Sequence, residues 1–225
     1  SMTELEDRYE PFRPKRKTRA SAAIEKELCP LADFLLGQPR TDPVEEAAAY
    51  LNAEKGVNTV EDALAGARDI IAQTVCEDRD VRADIRSLFM KTAQIRSKVK
   101  PAKKEDGIKF KDYFDWSEPA FKAPSHRVLA MLRGAAESVL TVHVLPDESR
   151  ALQTIEKRFL KNRSAAARHV MNAIQDGYRR LLAPAIEKET IKTLKEKADQ
   201  TAIDVFAANL KDLLLAPPLG QKQTL

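Results

Sequence analysis

Five cations fall within seven positions near the start of the chain: Arg13, Lys15, Arg16, Lys17 and Arg19. No Asp or Glu interrupts the stretch from Pro11 to Ala23. Pro11 and Pro14 hold this run extended, so it can lie along a surface with its side chains spread. The chemistry available to such a run is phosphate neutralisation, which is strong at low salt and blind to base sequence. A solvated charge run is the competing reading. The other reactive residue types are scattered. His126, His143 and His169 lie far apart with no second ligand at a helical i+4 step, and Cys29 and Cys76 stand 47 positions apart, so no zinc pattern exists. There is no glycine-rich phosphate loop, and no Ser has Gly two residues to either side, as a nucleophile elbow would require. The carboxylate pairs Asp78/Asp80 and Asp112/Asp115 could be imagined around a metal, but helix capping accounts more simply for the first. Ser125 and His126 read as a cap and its neighbour rather than as catalysts. The expectation is a chain with no catalytic residues, no metal and no cofactor.

The totals agree with that restraint. Hydrophobic residues make up 43% and charged residues 32%, which is globular rather than disordered. Only 7 Gly and 6% aromatics, beside many Ala, Leu, Glu and Lys, favour helix over sheet. The net charge of +4, from 38 basic and 34 acidic residues, does not by itself argue for a nucleic-acid partner. No apolar run is long enough for a membrane span, and no apolar signal region opens the sequence. Two isolated cysteines in helical patterns point to a reducing cytoplasm and free thiols. A monomer is expected.

The elements that must position the cations are mostly helices. The longest helical stretch runs from Pro184 to Ala216, ended by Pro217-Pro218. It is a rod of roughly 45–50 Å. Ile191, Leu194, Ala198, Ala202, Val205, Phe206, Leu210 and Leu213 give it one apolar stripe. This predicts a spine against which shorter helices pack. Upstream, Thr18 caps a helix to about Glu27, and Pro30 starts another that closes at Gly37. Asp42-Pro43 opens a helix to about Lys55, with Gly56 as its stop. Thr59 with Asp62 makes a capping box, Asp80 caps a further helix, and Asp147 and Ser164 cap two more. Ser125 opens a helix that ends at Gly134. Val139–Leu145 is the one clear strand, with 94–99 its best partner. Phe110, Tyr113, Phe114, Trp116 and Phe121 read as a core plug rather than a base-stacking platform. The fold class expected is mainly α, a multi-helical array packed around the long C-terminal helix, with a two-stranded β element. By organisation, 1–20 is a basic arm leading into the first helix, 21–146 the helical array with its β element, and 147–225 the helices that lead into the spine.

At the basic run the sequence also resembles a known family. Residues 3–20, TELEDRYEPFRPKRKTRA, are similar to the Tex family of bacterial transcription accessory proteins. The likeness continues through Pro30-Leu31-Ala32-Asp33, residues 63–72 (ALAGARDIIA), residues 110–115 (FKDYFD), Pro124-Ser125-His126-Arg127, Phe206-Ala207-Ala208-Asn209-Leu210 and residues 213–219 (LLLAPPL). Several motifs in order along the whole chain make the match specific. The resemblance implies a non-catalytic factor that binds RNA or DNA and works with the transcription machinery. Full members carry a helical N-terminal region, an RNase H-like domain, helix-hairpin-helix repeats and an S1 domain. It further implies that this chain ends just before the RNase H-like domain. Its role would then be chiefly scaffold, with the basic run an auxiliary contact. Two other readings stay open: a purely structural or protein-binding helical scaffold, or part of a nuclease whose catalytic domain lies outside the chain.

Overall fold

The computed structural model describes residues 18–216. Nine α-helices and a three-stranded sheet are formed among the described residues. They divide into two compact units that do not follow chain order. One holds the described residues up to Ala93 together with Leu145–Lys188, and the other holds Gln94–Val144 and the described residues from Glu189 onward.

The first unit opens with α1 (Arg19–Glu25), where Thr18 makes a full capping box with Ser21. Next come α2 (Cys29–Gly37) and α3 (Pro43–Ala48). The expected stop at Gly37 falls one residue later, because Gln38 adopts the left-handed cap at φ 54°. Buried Gln38 can hold that conformation because its side chain bonds the Phe159 carbonyl and the Lys161 amide. Helix α3 is also much shorter than the expected run to Lys55. The chain turns back on itself instead, with Asn52 and Val57 exchanging backbone bonds and Gly56 at φ 68° in the turn. A helix through this segment would have needed Gly56 only as a stop; here its freedom at positive φ closes a small loop.

Helix α4 (Val60–Glu77) follows from the Thr59–Asp62 capping box and buries Ala63, Leu64, Ala67, Ile71, Ala72, Val75 and Cys76. Helix α5 (Arg79–Thr92) buries Val81, Ile85 and Phe89. Its cap is Asp78, which accepts from the Val81 amide at 2.8 Å, rather than Asp80. Asp80 instead faces Arg158 at 3.2 Å.

The second unit begins with β1 (Gln94–Val99) and β2 (Asp115–Pro119), paired antiparallel with Ile95 opposite Glu118 and Ser97 opposite Trp116. Helix α6 (Ser125–Ala136) then leads to β3 (Leu140–Leu145). The strand order β2-β1-β3 corrects the expected two-stranded ribbon, since 115–119 adds a third strand and makes β1 central. Helix α6 runs two residues past Gly134, which is buried inside it, and no side-chain cap opens it. Of the five aromatics expected to form a core plug, Phe110, Tyr113 and Phe114 do so, while Trp116 and Phe121 are half-buried outside the cluster. Phe110, Val139 and Leu140 form the buried cluster with Tyr113 and Phe114 packed on it. Trp116 meets Tyr113 edge-on at 6.2 Å, with the Arg127 guanidinium 5.4 Å from its ring.

The chain returns to the first unit with α7 (Glu148–Phe159) and α8 (Ala165–Gly177), capped by Asp147 and Ser164 as expected. A π-helical turn, Tyr178–Leu182, joins α8 directly to α9 (Ala183–Leu215), so the long C-terminal helix continues an earlier one. Ala183 donates to the Tyr178 carbonyl five residues back. The wide turn sits just before Pro184, which has no N–H to give and whose ring would crowd the Arg180 carbonyl.

The hub of the helical unit is α4, which α1, α2, α3, α5 and α8 all contact. The long helix is present as expected, but its apolar stripe divides. Leu194 and Ala198 are buried, whereas Ala202, Val205, Phe206, Leu210 and Leu213 are exposed.

Gly177 shows how closely α8 approaches α4. A Cβ there would lie 2.9 Å from Cys76 Sγ and 3.0 Å from the Ala72 carbonyl oxygen. In an open helix, Gly→Ala stabilises by about 1 kcal/mol. Overpacking against backbone costs about 1–3 kcal/mol, and that cost wins here. Gly177→Ala is expected to lower the melting temperature by about 2–8 °C; a rise would show that the two helices part freely.

Candidate nucleic-acid interface

Of the five cations singled out, Arg13, Lys15, Arg16 and Lys17 lie outside the described residues. Arg19 is the first residue of α1 and is exposed. Its position is fixed from behind. The Thr18 hydroxyl caps the helix and also donates to Gln73 Oε1 on α4 at 3.0 Å, while Ala20 and Ala23 are buried. Of the run, Arg19 is the described member and begins α1 on the helical unit.

Arg19 borders a cleft of about 460 Å³ lined also by Glu61, Arg68, Asp69, Asn172 and Asp176. Its charges are largely matched inside. Arg68 bonds Glu61 at 2.5 Å, and Arg180 reaches Asp176 at 2.6 Å and Asp69 at 3.3 Å. Burial raises the Asp69 carboxyl above its ordinary range, against the pull of Arg180 and Arg19. His169 is held neutral: burial, then the Arg68 charge, lower its pKa. Arg68 Nη1, which can only donate, stands 3.2 Å from His169 Nδ1, leaving the proton on Nε2. Three guanidiniums facing three carboxylates leave no surplus positive potential.

Among the described residues no group of three or more His, Cys, Asp or Glu is placed to hold a metal ion. No helix there is long and apolar enough to cross a membrane. Both cysteines are free thiols. Cys76 is buried, and burial pushes its thiol up to about 12. Burial likewise pushes Tyr178 up to about 12. Two outcomes follow. A disulfide reagent at neutral pH should modify Cys29 in the native protein and both cysteines after denaturation; rapid native reaction of both would contradict the packing. Stability should also fall as pH rises from about 9 towards about 12, because the unfolded thiol and phenol ionise there while the folded ones hold their protons. Thermal melts across that window measure the fall.

The described residues form a helical scaffold with a small three-stranded sheet. Residues 38–206 match the Tex central region-like family model. The chain belongs to the Tex central region-like family. It is 42% identical over 235 residues to the Protein tex of Bordetella pertussis, covering 98% of this chain and 30% of that protein. It is 40% identical over 227 residues to YdcI of Bacillus subtilis, covering all of this chain and 32% of that protein. It is 39% identical over 233 residues to the Transcriptional accessory protein Tex of Neisseria gonorrhoeae, again along its full length and 30% of that protein. The chain thus spans about a third of the length of these relatives.

Proposed function

We propose that this chain is a non-catalytic scaffold segment of a cytoplasmic transcription accessory factor, contacting RNA or DNA through its backbone. The observation that carries the reading is identity near 40% along the full chain to relatives that include one named transcriptional accessory protein. The cations Arg13, Lys15, Arg16 and Lys17 supply the contact, with Arg19 a minor member. Contacts of this kind fix a polymer in place without reading bases. The segment acts as a monomer beside the transcription machinery, and its ligand is the nucleic acid rather than a substrate to be turned over.

The test is to incubate the purified chain with end-labelled single-stranded RNA and duplex DNA in magnesium or manganese buffer. Binding without sequence preference and with every strand intact supports the reading. Failure to bind either polymer, or metal-dependent cleavage that follows the protein through repurification, defeats it.

A further inference from the structure

Strand β1 carries a second basic row. Arg96 and Lys98 are exposed while Ile95 and Ser97, which alternate with them, are fully buried, and Lys100 continues the alternation just past the strand. Two residues of antiparallel strand advance about 6.8 Å, so the three side chains leave one face at regular steps. The backbone beneath them is pinned: Ser97 Oγ donates to the Tyr113 carbonyl at 2.6 Å, the Val99 amide to Phe114, and the Lys100 amide to Val139, both at 2.9 Å. None of the three cations has an ion pair or side-chain hydrogen bond among the described residues. Three other cations of this unit are paired: Lys103 meets Asp106, Lys109 meets Glu137, and Arg127 meets Glu118.

Lysines on strands ordinarily guard a sheet edge against pairing with other chains. That explanation fails here, because β1 lies between β2 and β3 and has no free edge. Lys is also a poor strand former. Three unpaired cations spaced along a central strand repel one another to no structural benefit. On β2, Ser117 stands opposite Arg96 and the exposed carboxylate Asp115 opposite Lys98. We propose that the outward face of β1, carrying Arg96, Lys98 and Lys100, is a phosphate-binding row that seats the backbone of a nucleic-acid strand. It is a contact separate from the N-terminal basic run. The proposal rests on the reading that the chain contacts nucleic acid, and charge complementarity selects the occupant.

The test uses the full chain and fluorescein-labelled poly(U), titrated by anisotropy over a range of salt. The variant R96Q/K98Q/K100Q should bind about tenfold more weakly at low salt. Its slope of log affinity against log salt should be shallower by about 2, for three lost contacts to a single strand. Asp115→Asn, which removes the carboxylate opposite Lys98, should tighten binding by about twofold to threefold; a gain of this kind cannot come from misfolding. Parent affinity and slope in the triple variant, with no gain in D115N, would overturn the row while leaving the N-terminal contact intact. Loss in the triple variant beside an unchanged K15E/R16E/K17E would place binding on the sheet and remove the N-terminal run from the account. A parent that does not bind poly(U) at all would overturn both.

Discussion

Phe89→Ala is expected to destabilise the protein by about 3–5 kcal/mol, the usual cost of emptying a fully buried aromatic site. Phe89 is 0% exposed and completes the buried row Val81, Ile85, Phe89 along α5. It is also the largest fully buried side chain among the described residues. The cavity left behind cannot be filled from α5 itself, whose next residue Met90 is 42% exposed on another face. A melting temperature lower by about 6–20 °C is the corresponding readout. Met90→Ala is the matched control and should stay within about 0.5 kcal/mol. Equal effects from the two substitutions would mean that α5 presents a different face to the helical unit.

The second large effect concerns binding. Reversing Lys15, Arg16 and Lys17 to Glu removes three cations and places three anions on the same short segment. Affinity for single-stranded RNA or duplex DNA at low salt should fall by about 10–100-fold, the parent lying at the weak end of about 10⁻⁴–10⁻⁶ M at physiological salt. Circular dichroism should retain the parent's helical signal, since the capping box that starts α1 lies at Thr18 and Ser21. Arg19→Glu should have a far smaller effect, because Arg19 borders a cleft whose guanidiniums and carboxylates already balance. Unchanged affinity in the triple variant would reduce the run to a solvated arm.

Much of this fold could be read from local chemistry. Thr18 with Ser21, Thr59 with Asp62, and the acceptors Asp147 and Ser164 each satisfy orphan amides within their own turn, so side chains a few residues apart decide the helix start. Strand β1 and strand β3 announce themselves by alternation for the same reason. Strand β2 does not. Asp-Trp-Ser-Glu-Pro is polar, ends in proline and has low strand propensity, and it is extended because β1 offers it a partner. The short α3 was hidden likewise, since the Asn52–Val57 pairing outweighs a helical continuation that propensity alone would favour. The hub was the least legible feature. Length marked α9 as the spine, but the choice of centre depends on how many neighbours a helix acquires, and α4, which carries buried Ala63, Ala67 and Ala72, has five helices against it. The basic run at 13–19 was legible as composition. The row on β1 was legible only as a strand, because the significance of its charges depends on β1 being central, which three-dimensional pairing decides.

The central claim is that this chain holds nucleic acid by phosphate neutralisation. The most direct measurement is the affinity of the full chain for a single-stranded RNA across a series of monovalent salt concentrations. With about three to five phosphates neutralised by the N-terminal run and about three more by the β1 row, log affinity should fall linearly with log salt at a slope of about −4 to −5.5, and mixed and homopolymeric sequences should give the same line. A slope near zero, a line that depends on sequence, or no measurable binding at low salt would contradict the account.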